Sequence, residues 1–471
     1  MQPSPVPRGA PRALGRWACP AVIAMLLLPV SAAAASRAGA GEAASSLAWG
    51  FPFAGLLVSI ALGPMLAPRA WHRRARLVLL GWVLALLLPE AALFGVGAAA
   101  GALARAVLAQ YLPFISLLFA LYTTAGGVLV AGGPWGRPAG NTALLALGTL
   151  AGGVVGTTAA AMVLIHPLLA ANAHRRRKGH LVVFFIVLVA NAGGALSPIG
   201  NPPLYVGFLQ GVPFFWPLRN LWLPLLVLAG PLLVGFFLLD RRLAAGEDPA
   251  PRPQPLRVRG GANLALVGVV ALAVVVLGAW QDGFVRLLGA RLTVGTALSV
   301  LISLAASLVS ALITPRAVRR RNMFSWAPIV EVAELFAAIF ITIAPVLAML
   351  RAGPAGPLGG LLRLVAGPAG YFWLTGLLSA FLDNAPTYLV FFGMAGGDAG
   401  QLVLPPARTL AAISTGAVFF GGLTYIGAAP NLLIRAIAAR RGVRMPGFFG
   451  YCATAVLVLA LPLLLVSFVL F

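Results

Sequence analysis

The chain has 471 residues, 61% of them hydrophobic and only 9% charged, with a mean hydropathy of +0.98. Soluble proteins carry about 25% charged residues, so a water-soluble fold cannot hide this much apolar surface. The apolar runs are continuous rather than alternating, which argues against a membrane β-barrel. The net charge of +23 comes from 32 arginines and Lys178 set against ten acids. These arginines sit in short loops between apolar runs, where membrane sidedness already accounts for them, so no nucleic-acid partner is expected.

In chain order, Arg8, Arg12 and Arg16 precede an apolar run at 21–30 and small residues at 31–36. That order reads as a cleavable signal peptide, and residues 1–40 are set aside as a leader; an extra N-terminal helix is the alternative. Cys19 and Cys452 are far apart in hydrophobic segments and build neither a disulfide framework nor a metal site.

The remaining apolar runs approach the ~20 residues that cross a bilayer as a helix. Five basic clusters punctuate them, at 69–76, 175–178, 241–259, 316–321 and 435–444. If all five are cytoplasmic, neighbouring clusters must be separated by an even number of spans. Two runs, 262–280 and 293–313, fill the gap between the third and fourth clusters. Three runs, 78–97, 106–133 and 141–172, fill the first gap, and three more, 328–350, 371–396 and 408–434, fill the last. One run in each of these gaps is therefore expected to enter the membrane and return, which is tolerated only when buried in protein or lining a cavity.

Residue chemistry selects the returning runs. Run 141–172 is interrupted by Gly152-Gly153-Val-Val-Gly156-Thr157-Thr158, and run 371–396 by Asp383-Asn384-Ala385-Pro386-Thr387. Both stretches combine helix-weakening residues with free polar groups, as a hairpin tip needs; a kinked continuous helix is the alternative. A motif then occurs twice. The stretch Gly194-Ala-Leu-Ser197-Pro198-Ile199-Gly200-Asn201-Pro202-Pro203 aligns without a gap to Gly421-Gly-Leu-Thr424-Tyr425-Ile426-Gly427-Ala428-Ala429-Pro430. The hairpin tips keep step with it.

The expected architecture is an all-α polytopic membrane protein of two inverted-topology repeats, each with a re-entrant hairpin and a discontinuous helix. The first half covers 41–239, with its hairpin at about 141–172 and broken helix at about 180–209. A cytoplasmic linker follows at 240–261. The second half covers 262–471, with its hairpin at about 371–396 and broken helix at about 408–434. Interrupted segments in inverted repeats point to a midplane binding site in secondary transporters. No G-x-x-x-x-G-K-[ST] loop is present, so ATP-driven transport by this chain is not expected.

Breaking a helix frees backbone carbonyls, which suit Na⁺, and half-helix N-termini, which suit anions. Thr157, Thr158, Ser197, Asn201, Asn384, Thr387, Thr424 and Asn431 add neutral oxygens, with Gly200, Pro202 and Gly427 shaping the breaks. Asp383 is the strongest candidate for cation binding or proton exchange, because an intramembrane carboxylate is costly without a role; a structural cap on the hairpin is the alternative. Glu331 and Glu334 are further proton-coupling candidates or interfacial residues. His166 reads as structural, and His72, His174 and His180 are given no role.

At these residues the chain resembles the ion transporter superfamily. Thr157-Thr158-Ala-Ala-Ala, Ser197-Pro-Ile-Gly-Asn-Pro-Pro203, Phe381-Leu-Asp-Asn-Ala-Pro-Thr387 and Thr424-Tyr-Ile-Gly-Ala-Ala-Pro-Asn431 carry the likeness. Within the superfamily the chain is similar to the group of arsenite permeases, NhaD-type sodium:proton antiporters and citrate transporters, from about residue 47 onward. Sodium-coupled carboxylate relatives bind substrate and sodium through a Ser-Asn-Thr triplet at each hairpin tip. Here the matching places hold Gly156-Thr157-Thr158 and Asp383-Asn384-Ala385, so that pattern is not reproduced. Close relatives often read Gly-Asp-Pro-Pro where this chain has Gly200-Asn201-Pro202-Pro203, and Asn where it has Ala428. Asn201 can coordinate a cation but cannot exchange a proton.

The expected function is secondary transport in the bacterial inner membrane, with sodium(cation):proton antiport placed first. Sodium- or proton-coupled uptake of citrate or another organic anion is second, and arsenite-type anion extrusion third. Na⁺ and H⁺ are expected as transported ions, with no bound cofactor. An enzyme is not expected: only Asp383 is well placed for an intramembrane aspartyl protease, and no H-E-x-x-H is present. The resemblance to dimeric elevator-type transporters implies a homodimer.

Overall fold

The computed structural model describes residues 46–248, 254–278, 280, 282–362 and 365–471. The leader expected at 1–40, with Cys19, lies outside the described residues. The first part of the chain folds as α1 (Phe51–Leu66), α2 (Pro68–Phe94), α3 (Val96–Arg105) and α4 (Leu112–Ala125), with a π-helical turn joining α3 to α4. A short strand β1 (Leu129–Gly133) precedes α5 (Pro138–Val155), α6 (Thr157–Ala171) and α7 (Gly179–Leu188). A 3₁₀ turn (Ala192–Leu196), α8 (Pro202–Leu209) and the long α9 (Trp216–Ala244) follow.

The second part opens with β2 (Gln254–Arg259), α10 (Gly261–Gly278), the strands β3 (Phe284–Leu287) and β4 (Ala290–Thr293), and α11 (Val294–Ile313). It continues through α12 (Arg316–Arg321), α13 (Ala327–Thr342) and α14 (Ala344–Arg351) to α15 (Gly367–Leu382) and α16 (Asn384–Met394). It closes with α17 (Arg408–Phe419), a 3₁₀ turn (Phe420–Leu423), α18 (Ala429–Arg440) and α19 (Phe448–Leu470). Among the described residues, nine helices are long and apolar enough to cross a membrane, and α13 with α14 forms a tenth if that pair, bent by 40°, is one span. The protein is a mainly helical, multi-pass membrane protein.

Proline starts many of these helices. Pro52, Pro138, Pro202, Pro217, Pro328, Pro345, Pro368 and Pro430 all lie in the first turn, where a missing N–H costs nothing. Outer helices leave large apolar side chains uncovered, among them Leu312, Leu457 and Phe468. Such a surface is stable against lipid and unstable against water.

Two expected boundaries shift. The run read as 106–133 is helical only to Ala125, because Gly126 and Gly127 end it before β1 begins. The run read as 328–350 is two helices meeting at Ile343, with Pro345 opening the second. Within the segment expected as the linker, 240–261, α9 continues to Ala244 and β2 pairs antiparallel with β1.

Buried apolar side chains form two main clusters. One joins α5, α6, α7 and α9 to α15–α19, through residues such as Ile165, Phe185, Phe236, Phe392, Phe419 and Tyr451. The other joins α1, α4, α10, α13 and α14, through Phe114, Val270, Phe336 and Phe340. Ile199, Tyr205, Val206, Ala385 and Leu389, which flank the helix breaks, pack into this second core. The interrupted segments thus lie where the two cores meet.

Candidate functional site

Helices α5 and α6 form a hairpin that turns at Gly156, and α15 and α16 form one that turns at Asp383. The two turns occupy matching positions of the repeat and share one backbone conformation. Gly156 has φ 89° and ψ 142°; Asp383 has φ 72° and ψ 150°. Glycine adopts that region freely, whereas Asp383 holds it as one of a few non-glycine residues with positive φ. Its carboxylate accepts the Asn384 amide at 2.6 Å and so caps α16.

The feet of the first hairpin are joined. Asn141 near the start of α5 and Asn172 just past α6 exchange two side-chain hydrogen bonds of 3.0 and 2.9 Å. Asn141 also donates to Asp240 at 3.0 Å, and Asp240 accepts from Arg175 and from His180. Arg175 and Asp240 are a buried ion pair, with side chains 3% and 0% exposed. In sequence, Arg175 falls in a loop cluster and His180 shows no role. The missing signal was Asp240, an acid closing a long apolar run, which needs a buried cation.

The broken helices share two hydrogen bonds at matching positions. After the 3₁₀ turn of the first, Ser197 donates to Gly153 O in the hairpin, and its hydroxyl accepts from Gly200 N at 3.1 Å. In the second, Thr424 donates to Ala380 O and accepts from Gly427 N at 2.9 Å. Both loops close too tightly for a side chain at the glycine: a Cβ would lie 2.4 Å from Gly194 O at Gly200 and 2.7 Å from Gly421 O at Gly427. Asn201 and Ala428 then hold nearly the same extended conformation before α8 and α18. The Thr157 amide donates to Gly200 O at 2.9 Å, tying the first tip to its own break.

Asparagines link the halves. Asn384 at the second tip donates to Asn201 Oδ1 at 2.9 Å, and Asn201 donates to Asn191 O at 3.3 Å. Asn191 in turn donates to Asn431 Oδ1 at 2.9 Å and to Ile186 O at 2.8 Å. Asn431 donates to Gly421 O and Thr424 O, closing the second loop. Asn191, Asn201, Asn384 and Asn431 are all buried, and among the described residues Asn191 Oδ1 has no hydrogen-bond partner. Asn191 was not among the expected site residues; a polar side chain within an otherwise apolar stretch was its only signal.

Of the other expected residues, Thr387 donates to Asp383 O within its own helix at 2.8 Å, and Pro202 starts α8. Thr158 is half-buried beside Thr157. Glu334, half-buried, pairs with the exposed Arg76 at 2.8 Å, and Glu331 is exposed one turn earlier. Neither glutamate joins the asparagine chain. His166 donates to Asn322 O at 3.1 Å, linking the return arm of the first hairpin to the α12–α13 loop.

The chemistry at the meeting point is that of neutral oxygens, amides and helix starts around one carboxylate, Asp383. It suits a small ion or a hydrogen-bonding anion, and two different hairpins reach it. A family model described as "Putative citrate transport" matches residues 42–471. No curated protein matches the chain.

Proposed function

We propose a function from one premise: the chain belongs to this citrate-transport family, whose model covers all but its first residues. The protein is a secondary transporter that carries a citrate-class organic anion across the bacterial inner membrane together with a cation. The observation that carries this reading is the Asn384–Asn201 hydrogen bond, which brings the tip of one hairpin onto the broken helix of the other half. Carboxylate oxygens accept from amides, hydroxyls and helix N-termini, which is what these elements offer.

Asp383 explains the coupling. An anion bound near a buried carboxylate is repelled unless a cation or proton neutralises that charge, so substrate and cation enter together. The bonds repeated between the halves, with copies that arginine sidedness orients oppositely, support alternating access around a fixed site. Joined feet at Asn141 and Asn172 support a first hairpin that enters and leaves on one side. The meeting of two apolar cores at the breaks supports movement of one body against the other, and a homodimer would anchor the static one.

Sodium:proton exchange is the second reading, favoured by the burial of Asp383. Its carboxylate is already engaged in capping α16, and Asn201 supplies no second proton-exchanging group. The test is uptake of labelled citrate into proteoliposomes under an imposed Na⁺ or proton gradient. Gradient-dependent uptake is expected. Absence of uptake, with Na⁺- or Li⁺-dependent dequenching of a pH-sensitive dye, would replace it with exchange.

A further inference from the structure

A second polar site lies away from the asparagine chain, at the ribbon of β1 and β2. Arg257 stands opposite Ala131 and Arg259 opposite Leu129, so strand alternation puts both arginines on one face. Leu256 and Val258 occupy the other face and are 55% and 51% exposed. The basic face and Arg321 at the end of α12 wall a cavity of about 330 Å³, completed by apolar and backbone groups such as Leu129 and Pro255. No acid lines it, and none of the three guanidinium groups forms an ion pair among the described residues.

We propose that this cavity binds the phosphate group of an anionic phospholipid. The guanidinium fork matches phosphate oxygens in pairs and loses less hydration than an ammonium on doing so. Placement selects a lipid over a soluble anion. β2 directly precedes α10, β1 closely follows α4, and Arg321 lies between α11 and α13, so every wall is within a few residues of a membrane-spanning helix. Arginine sidedness puts this end at the cytoplasmic leaflet, where anionic lipids create the attracting field. The exposed Leu256–Val258 face is unfavourable in water and fits beside acyl chains.

The three arginines come from separate parts of the chain: two from the linker and one from the second half. Arg321 immediately precedes Asn322, whose side chain donates to Gly126 O and Val128 O and whose carbonyl accepts from His166. A bound lipid therefore fastens the linker to the loop that holds the first hairpin. This inference rests on the membrane-spanning architecture and not on which solute is carried.

The full chain, purified in neutral detergent, is titrated with dioctanoyl-phosphatidylglycerol while its melting temperature is followed. A saturable rise is expected, with none from dioctanoyl-phosphatidylcholine or from inorganic phosphate at the same concentrations. R257Q/R259Q, and separately R321Q, should weaken the response at least about tenfold, the loss of one charge-assisted contact. R69Q/R73Q/R74Q, which removes three exposed charges elsewhere, more than either cavity variant, should leave it unchanged. An equal rise with phosphatidylcholine or phosphate alone overturns the proposal, as does full response in the cavity variants or equal loss in the control. R321Q decides by itself if the ribbon double variant fails to fold.

Discussion

Ser197 and Thr424, matching positions of the repeated loop, each donate a hydroxyl hydrogen bond to the carbonyl 44 residues before them, Gly153 and Ala380. Each bond ties the outgoing arm of a hairpin to the loop of a broken helix, so the tip and the break hold one geometry. Identical cross-links in both copies predict comparable effects when either is cut. Ser197→Ala and Thr424→Val each leave a carbonyl without its partner, at a cost of about 1–3 kcal/mol. Both variants should melt lower than wild type and lose initial transport rate by similar factors. A large loss in one with none in the other would show that the copies are not equivalent.

Asp383 combines a charge, a helix cap and a positive φ, and two substitutions separate these. Asp383→Asn keeps a good cap residue and tolerates the backbone, so its melting temperature should stay close to wild type. Without the charge, cation-coupled uptake should disappear. Asp383→Gly relieves the backbone and removes the side-chain cap, a loss of only about a few tenths of a kcal/mol when glycine takes the N-cap, and should lose uptake as well. Wild-type uptake in Asp383→Asn would take the carboxylate out of the coupling mechanism.

The Arg175–Asp240 pair predicts a larger effect on stability than any change at the tips. Removing one partner leaves an uncompensated buried charge, which costs about 3–5 kcal/mol. Asp240→Leu or Arg175→Met alone should strongly lower the melting temperature, because Asn141 and His180 also converge on Asp240. The double replacement removes both charges and should recover much of the loss. Additive damage in the double variant would mean that the hydrogen bonds, and not the charge pairing, hold the feet of the hairpin.

Where the two hairpins turn was legible in the sequence to within a few residues: the chain turns at Gly156 and Asp383, while α5 runs through Gly152-Gly153 and Pro386 sits in the first turn of α16. The gapless match of Gly194–Pro203 to Gly421–Pro430 likewise marked the loops that prove to share hydrogen bonds. Pairings across the chain were not legible. Arg175 reads as one more loop arginine until Asp240 is brought to it from 65 residues away. The bend at Ile343 was hidden as well, since Pro345 in the first turn of a helix looks the same in sequence as a proline kinking a continuous one. Asn191 escaped for a different reason. A repeat draws attention to positions that match, and the counterpart of Asn191 in the second copy is Val418.

That mismatch gives the sharpest test of communication between the halves. Asn191 bonds Asn431 across 240 residues of sequence, and each also holds carbonyls of its own broken helix. Asn191→Val installs the residue of the second copy, and Asn431→Leu installs the counterpart of Leu204 in the first. Each change strands a buried partner at about 1–3 kcal/mol, so each variant should transport more slowly. Residues in direct contact couple by about 0.5–3 kcal/mol, and the double variant should therefore lose less than the product of the single losses. Initial uptake rates for the four proteins of this cycle, corrected for folded protein in the vesicles, measure that difference. Strictly multiplicative losses would mean that the two broken helices act independently and that the asparagine contact only fills space between them.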